Sequence, residues 1–320
     1  MHKRLLNEAI LELTIRPDGP ILVKAGESGA DPTRPDMEFV RTRRNGVPTI
    51  YLPGSTLKGT IRAHCERIVR SVGGDQPDAG RAIWSCDPLA NRNSCSERLK
   101  SKKWTGDKIY HRSCFICQLF GHTSLAGHLR TADAYPDDPD TVVTEERNGV
   151  AIDRVFGSVA VGPFNFEVVT AGEFKTRLYV KNFTLAQLGL LALALRDLKL
   201  GRVSIGFGKS RGLGRVTMTF NRLALRYPMG KLEKGLSLPG TDTIFCNHDE
   251  VVGVGAFKEL IPENYGYPKP ALEKVKLPDG LKLTTDKWAE VVLELKKETD
   301  IERVWADACV PAWRGTAGLA

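Results

Sequence analysis

Residues 183–201, "FTLAQLGLLALALRDLKLG", constrain this chain more than any other stretch. The pattern predicts a helix with Thr184 as its N-cap and Gly201 as its stop. The helix is apolar on almost every side, so it has to be covered all round. A bilayer is not the expected cover, because no apolar run reaches the ~18–20 residues of a membrane span. The chain's own core must supply it, and 320 residues suffice for one large or two modest domains.

The rest of the composition fits a soluble globular protein, with 42% apolar and 26% charged residues. "MHKRLLNEAILEL" lacks the apolar core and small-residue cleavage site of a signal peptide, so the expected location is cytoplasmic. Seven cysteines are an odd number, which argues against a disulfide framework. The net charge is +8, and it is uneven. Residues 1–220 hold 32 Lys and Arg against 23 Asp and Glu, whereas residues 221–320 hold 14 against 15. An excess concentrated in this way suits a polyanion partner, although a basic charge also serves solubility.

Along the chain, "EAILELTIRPDGPILVKAG" reads as a strand, a Pro-Asp-Gly turn and a second strand. A polar loop, "ESGADPTRPD", leads to a hairpin centred on Asn45-Gly46. "YLPGSTLKGTIR" then breaks the strand at Pro53-Gly54 and starts a helix over about residues 55–72, with Ser55 or Thr56 as N-cap. Leu57, Ile61, Cys65, Ile68 and Val72 form its apolar stripe. Residues 74–120 and 135–165 lack clear periodicity and read as insertions, the second as a protruding hairpin. "FNFEVVTAG" and "TRLYVKN" alternate as strands. Residues 1–227 read as the main domain. Residues 228–320 read as a C-terminal extension of unknown role, with a short helix near 286–297 and a weakly structured end. The order strand, helix, strand, strand, helix, strand suits an α+β fold of the ferredoxin-like, RRM type. The aromatic sheet segment of an RRM is missing, so RNA contacts must come from loops and helix ends.

Three constellations carry chemistry. At the helix start, Ser55, Lys58 and Arg62 lie near an end that favours anions. Further on, "GFGKSRGLG" fails as a Walker A motif because Val203 stands where the first glycine belongs. It fails as a dinucleotide fingerprint because Arg211 replaces the third glycine. What remains is a basic glycine loop with Lys209, Ser210 and Arg211, able to approach a phosphate or simply to turn between strands. The second constellation is "CFIC", Cys114 and Cys117, which has the spacing of a zinc knuckle. With Cys86 and Cys95 it makes a four-thiolate structural site for Zn2+, with His111 as a possible substitute ligand and buried free thiols as the plainer reading. The third is the acidic loop with Asp31, Asp36 and Glu38, ahead of the anion-binding helix. Its carboxylates are either solvated or suited to a metal or to proton transfer.

In order, "YLPGSTLKGTIR", "CQLFG", "LRTADAY", "IDRVFGSVAVG" and "GFGKSRGLGRV" resemble the RAMP superfamily, over about residues 5–220. They look most like the repeated backbone subunit of type III CRISPR effector complexes, of Csm/Cmr type. The resemblance implies polymerisation along a CRISPR RNA, whose phosphates are held by the Pro-Gly-Ser helix start and the glycine loop. It implies a thumb around Ile152–Phe164 that kinks the duplex of guide and complementary target RNA, and partnership with other CRISPR effector subunits rather than a membrane. It also implies a loop aspartate that cleaves the target as an endoribonuclease, with Mg2+ or Mn2+. Register from Val40-Arg41 favours Asp36, with Asp31 as second choice. A zinc site before the "CQLFG" motif recurs in relatives. Two other roles remain within the resemblance: a structural RNA-binding paralogue without catalysis, and a CRISPR RNA-processing endonuclease, which would want a histidine beside the glycine motif.

Overall fold

In the strand β1 (Glu8–Pro17), Ala9, Leu11, Leu13 and Ile15 take alternate positions and are buried to 4% exposure or less. One face of the strand therefore looks into a core and the other does not. The computed structural model describes residues 4–26, 35–77, 83–90, 93–100, 104–261, 266 and 273–319.

After β1 come the hairpin strands β2 (Arg41–Arg44) and β3 (Val47–Ile50), then helix α1 (Gly54–Gly73). Asn45 and Gly46 both have positive φ, which gives the hairpin its tight turn. Three short helices follow, α2 (Cys95–Arg98), α3 (Gly106–Arg112) and α4 (Phe115–Phe120). Strands β4 (Leu129–Thr131) and β5 (Tyr135–Pro136) lead to a long hairpin, β6 (Val143–Ile152) and β7 (Val159–Ala171). The sequence places this excursion at 135–165; the paired strands run on to residue 171. Strand β8 (Phe174–Lys181), helix α5 (Leu185–Lys199) and strand β9 (Val216–Tyr227) complete the central unit.

β9, β1, β8 and β4 lie side by side, all antiparallel. Four strands in sequence order 4-1-3-2, with a helix after the first and third, make the expected ferredoxin-like α+β sandwich. Its helix-free face carries ion pairs rather than exposed aromatics: Glu12 bonds Arg177 and Arg222, and Glu8 bonds Arg226.

Beyond β9 come short strands β10 (Lys231–Leu232), β11 (Leu236–Ser237), β12 (Glu250–Val252), β13 (Lys274–Lys276) and β14 (Thr284–Thr285). Then β15 (Val291–Leu295) pairs with β9, so that Val291, Leu293 and Leu295 face Tyr227, Leu225 and Leu223. The sequence reads as a short helix here. The exposed edge of β9 and a β-branched Val-Val start make it a strand. The end is helical rather than weakly structured: α6 (Glu298–Val304), a π turn and α7 (Val310–Thr316).

These last helices answer the demand made by α5. α5 has the predicted Thr184 cap, with the Gln187 N–H donating to Thr184 Oγ1 at 3.1 Å. The C-terminal helices pack against it so closely that a Cβ on Gly189 would stand 2.1 Å from the Cys309 carbonyl oxygen. Leu188, Leu190, Leu191, Leu195 and Leu198 are all buried. Among the described residues no helix is long and apolar enough to cross a membrane.

The predicted second strand after the Pro-Asp-Gly turn does not form a ladder. Residues 21–25 run extended, but their bonds go to three different neighbours. Ile21 N–H donates to Val169, Val40 N–H donates to Val23, and Phe207 N–H donates to Leu22. A segment shared three ways has no single partner strand.

Candidate functional site

α1 begins at Gly54 because only glycine fits there: a Cβ would lie 2.5 Å from the Thr131 carbonyl oxygen. Pro53 occupies the cap position, and the Gly54 N–H donates instead to Asp133 Oδ1 at 2.7 Å. Ser55 and Thr56 therefore sit inside the first turn rather than capping it. Ser55 is exposed and points into a groove of about 520 Å³ between α1 and the glycine loop.

α1 lines this groove with Ser55, Thr56, Gly59 and Arg67, and the loop lines it with Arg202, Ser204, Phe207 and Lys209. Lys24, from the extended segment after β1, closes one side. The loop is held by two close approaches. Gly206, at φ +75°, lies where a Cβ would meet the Leu22 carbonyl oxygen at 2.1 Å, and Gly214, at φ +95°, where it would meet that of Ile205 at 2.2 Å. Only glycine tolerates both the angle and the contact. Between them, Lys209–Arg211 form one 3-10 turn with all three side chains exposed.

Among the described residues, the groove lining gathers cations and holds no carboxylate. Partial desolvation against the groove wall and the nearby Arg67 push the Lys209 ammonium, though its side chain is exposed, below its ordinary range. Burial and Arg62 do the same to Lys58. Lys58 does not line the groove, so an anion bound there would relieve Lys209 alone of the two. Asp197 supplies the local negative charge, and His64, Arg196 and Arg202 already surround it. Against the cost of its burial, the hydrogen bonds from His64 and Arg196 hold its carboxylate below the usual range.

The predicted residues divide between two sites. Ser55 and Lys209 meet in the groove, with Ser210 and Arg211 on the exposed turn beside it. Arg62 is turned away from it. Its guanidinium donates to Glu66 Oε1 and to the Gly121 carbonyl, both at 2.9 Å, and to Cys117 Sγ at 3.5 Å. The α1 cation that reaches the groove is Arg67. Its signal was legible: Ser55, Gly59, Ala63 and Arg67 form one row at four-residue spacing, small residues ending in a cation. Lys24 and Arg202 had no such signal, since each lies in an irregular segment.

The second site is the cysteine cluster. The sulfurs of Cys86, Cys95, Cys114 and Cys117 all lie within 4.8 Å of one another, and all four residues are buried. The Sγ of Cys86 is 3.7 Å from those of Cys114 and Cys117. A tetrahedral zinc with bonds of about 2.3 Å would set sulfur–sulfur edges of about 3.8 Å. Backbone N–H groups of Cys114 and Cys117 donate to the sulfurs of Cys95 and Cys114 at 3.2 and 3.3 Å, which stabilises thiolates. Hydrogen bonds from the other three thiols hold Cys86 below the ordinary thiol range, while burial pushes Cys114 up. Four such groups at contact distance fit a bound metal cation, and Arg62 supplies positive charge at their edge. His111 is not among them: it is exposed and stands against Gly266.

Asp36 is exposed at the base of the long hairpin. Its Oδ2 accepts the Asn165 N–H at 2.9 Å, and Met37 pairs in parallel with Phe166 of β7. Glu167, two residues on from Asn165, holds Arg41 through both carboxylate oxygens and accepts the Phe39 N–H at 3.0 Å. On its other side, the segment bonds residues 23–25, with Ala25 N–H donating to the Glu38 carbonyl at 3.0 Å. Asp36 thus lies on a strip between the hairpin and the groove-lining segment that carries Lys24. Asp31 falls outside the described residues.

The hairpin ends in a turn organised by Asp153, whose Oδ1 accepts the N–H groups of Val155 and Phe156 at 2.7 and 2.8 Å. That holds Val155 and Phe156 in solvent, 82% and 84% exposed.

A comparison with curated proteins finds no match to this chain. A comparison with family models finds one, the RAMP superfamily, over residues 14–217, which contain the groove, the cysteine cluster, the hairpin and the glycine loop. With its helix start, its glycine loop and most of its sandwich inside that match, the chain belongs to the RAMP superfamily.

Proposed function

We propose that this chain is a CRISPR RNA-binding backbone subunit of a type III effector complex. The single observation that carries the reading is the groove, where one row of α1 and a glycine-braced loop bring Arg67, Arg202, Lys209 and Lys24 around one volume. Spaced cations on backbone-rich elements hold a sugar–phosphate strand without reading its sequence, and base pairing with the guide then reads the target. The Val155-Phe156 tip is the proposed wedge that kinks the duplex between guide and target. The four cysteines hold one structural Zn2+, which keeps the insertion folded against α1.

In this reading Asp36, beside the hairpin base, serves target cleavage. The target's 2′-OH attacks the adjacent phosphorus, the bond to the 5′ oxygen of the next nucleotide breaks, and a 2′,3′-cyclic phosphate and a 5′-OH result. Asp36 accepts the 2′-OH proton or holds Mg2+ or Mn2+ against the phosphate. The assay assembles the complex on guide RNA and adds complementary RNA with Mg2+. Asp36→Ala should bind target normally and lose cleavage at this subunit's positions by about 10²–10⁴-fold. Complementary DNA, lacking the 2′-OH, should stay intact. One observation favours the non-catalytic paralogue instead: the Asp36 carboxylate already accepts a backbone N–H of β7, a structural task. Cleavage unchanged in Asp36→Ala, or absent from the parent complex with any divalent ion, would make that second reading the right one.

A further inference from the structure

Phe207 is 44% exposed, the one aromatic ring among the described residues of a groove lined by hydroxyls, cations and the smaller apolar side chains of Val23, Ala63 and Val203. A phenyl ring left partly in water forgoes some of the stabilisation that burial would give, so its position needs a reason. The backbone enforces it. Phe207 N–H donates to the Leu22 carbonyl at 2.7 Å. Gly206 and Gly208 flank it at φ +75° and +72°, and Gly206 is pressed against Leu22. The brace fixes the backbone at Phe207, and with it the direction in which the side chain leaves the chain. The Arg211 guanidinium carbon stands 5.3 Å from the ring centroid, a cation–π contact that steadies ring and cation together.

We propose that Phe207, backed by Arg211, is a stacking platform for one nucleobase of the RNA strand in the groove. The inference rests on the RNA reading above and adds a base contact to a site otherwise made for phosphates. Lys209 and Arg67 hold the strand by its charge; Phe207 holds it by a π-face, which every base offers, so the contact tolerates any sequence. The platform also separates RNA from a bare polyanion such as polyphosphate, which has charge and no base.

The experiment titrates the full-length protein with single-stranded RNA that carries 2-aminopurine at successive positions, across a range of salt. Stacking on an aromatic ring is worth about 1–3 kcal/mol per base, so Phe207→Ala should weaken RNA binding by between about fivefold and 150-fold. The slope of log affinity against log salt should not change, because no charge is removed. Binding of polyphosphate should be indifferent to the substitution. Quenching of 2-aminopurine should occur in the parent, persist in Phe207→Trp and vanish in Phe207→Ala. Thermal unfolding serves as the folding control, since the exposed ring contributes little packing. If the parent binds RNA and Phe207→Ala binds it equally well with the same quenching, the platform is wrong and the RNA reading stands. If the parent binds no RNA, both fall.

Discussion

Gly59 sits inside α1, where glycine costs about 1 kcal/mol relative to alanine, yet a Cβ there would meet nothing within 4 Å. No packing requires it; the groove it faces does. Gly59→Ala should raise stability in a denaturant titration by about 0.4–1 kcal/mol. Gly59→Leu should keep the fold and weaken RNA binding by about tenfold or more, near 1.4 kcal/mol, by filling the groove floor. Equal RNA affinity in Gly59→Leu would mean that the strand runs elsewhere. Glu273 is a different kind of residue. It is wholly buried, accepts the N–H groups of Leu185 and Gly255 at 3.2 Å each, and burial raises its pKa from 4.5 to about 8. Below pH 4.5 it is protonated in both folded and unfolded chains. Between 4.5 and about 8 the unfolded chain releases a proton that the folded one keeps, so stability falls as pH rises, by about 1.4 kcal/mol per unit at most. Above about 8 the loss levels off. Glu273→Gln should flatten this dependence, and unfolding midpoints across that range check it. Neither residue's role is legible in the sequence. A glycine's open space and a glutamate's burial depend on neighbours far away along the chain.

At the scale of elements, the cysteine-rich insertion is readable from the sequence and the job of α1 only half so. "CFIC" predicts the knuckle, and Cys86 and Cys95 join it across a gap that fixes nothing alone. Sharing a helix face, Lys58 and Arg62 read from the sequence as a phosphate-binding pair. Arg62 in fact looks toward the insertion, where Glu66, Gly121 and Cys117 hold it, and Lys58 is absent from the groove lining. One register step separates that face from the groove row, and periodicity alone does not say which neighbour each row meets. The purified protein should contain about one zinc per chain by elemental analysis. Cys95→Ser should lose it, and His111→Ala should keep it. Arg62→Ala should lower metal affinity by about 10–100-fold, as removal of a group bonded to a ligand does, and leave the salt dependence of RNA binding unchanged. Zinc-free fresh protein would contradict the assignment.

For the whole molecule, the alternation of strands and helices is enough to specify the sandwich in order 4-1-3-2, but its second strand is the three-residue β4 and not "FNFEVVTAG", which belongs to β7 of the long hairpin. The C-terminal third is opaque because its strands are short and its pairing is non-local. β15 finds its partner in β9, more than sixty residues earlier. The sequence demands a cover for α5 without naming its source. Because that cover comes from the last helices, truncation after residue 290 should expose α5 and destabilise the whole fold rather than trim an appendage, which solubility and unfolding curves would show. The central claim concerns the groove, and the salt dependence of RNA binding tests it most directly. The parent should show log affinity falling linearly with log salt. Arg67→Ala and Lys209→Ala should each weaken binding to every sequence alike and reduce the slope by about 0.7 for every phosphate that is no longer neutralised. Slopes and affinities unchanged in both variants, with the parent still binding RNA, would contradict the account.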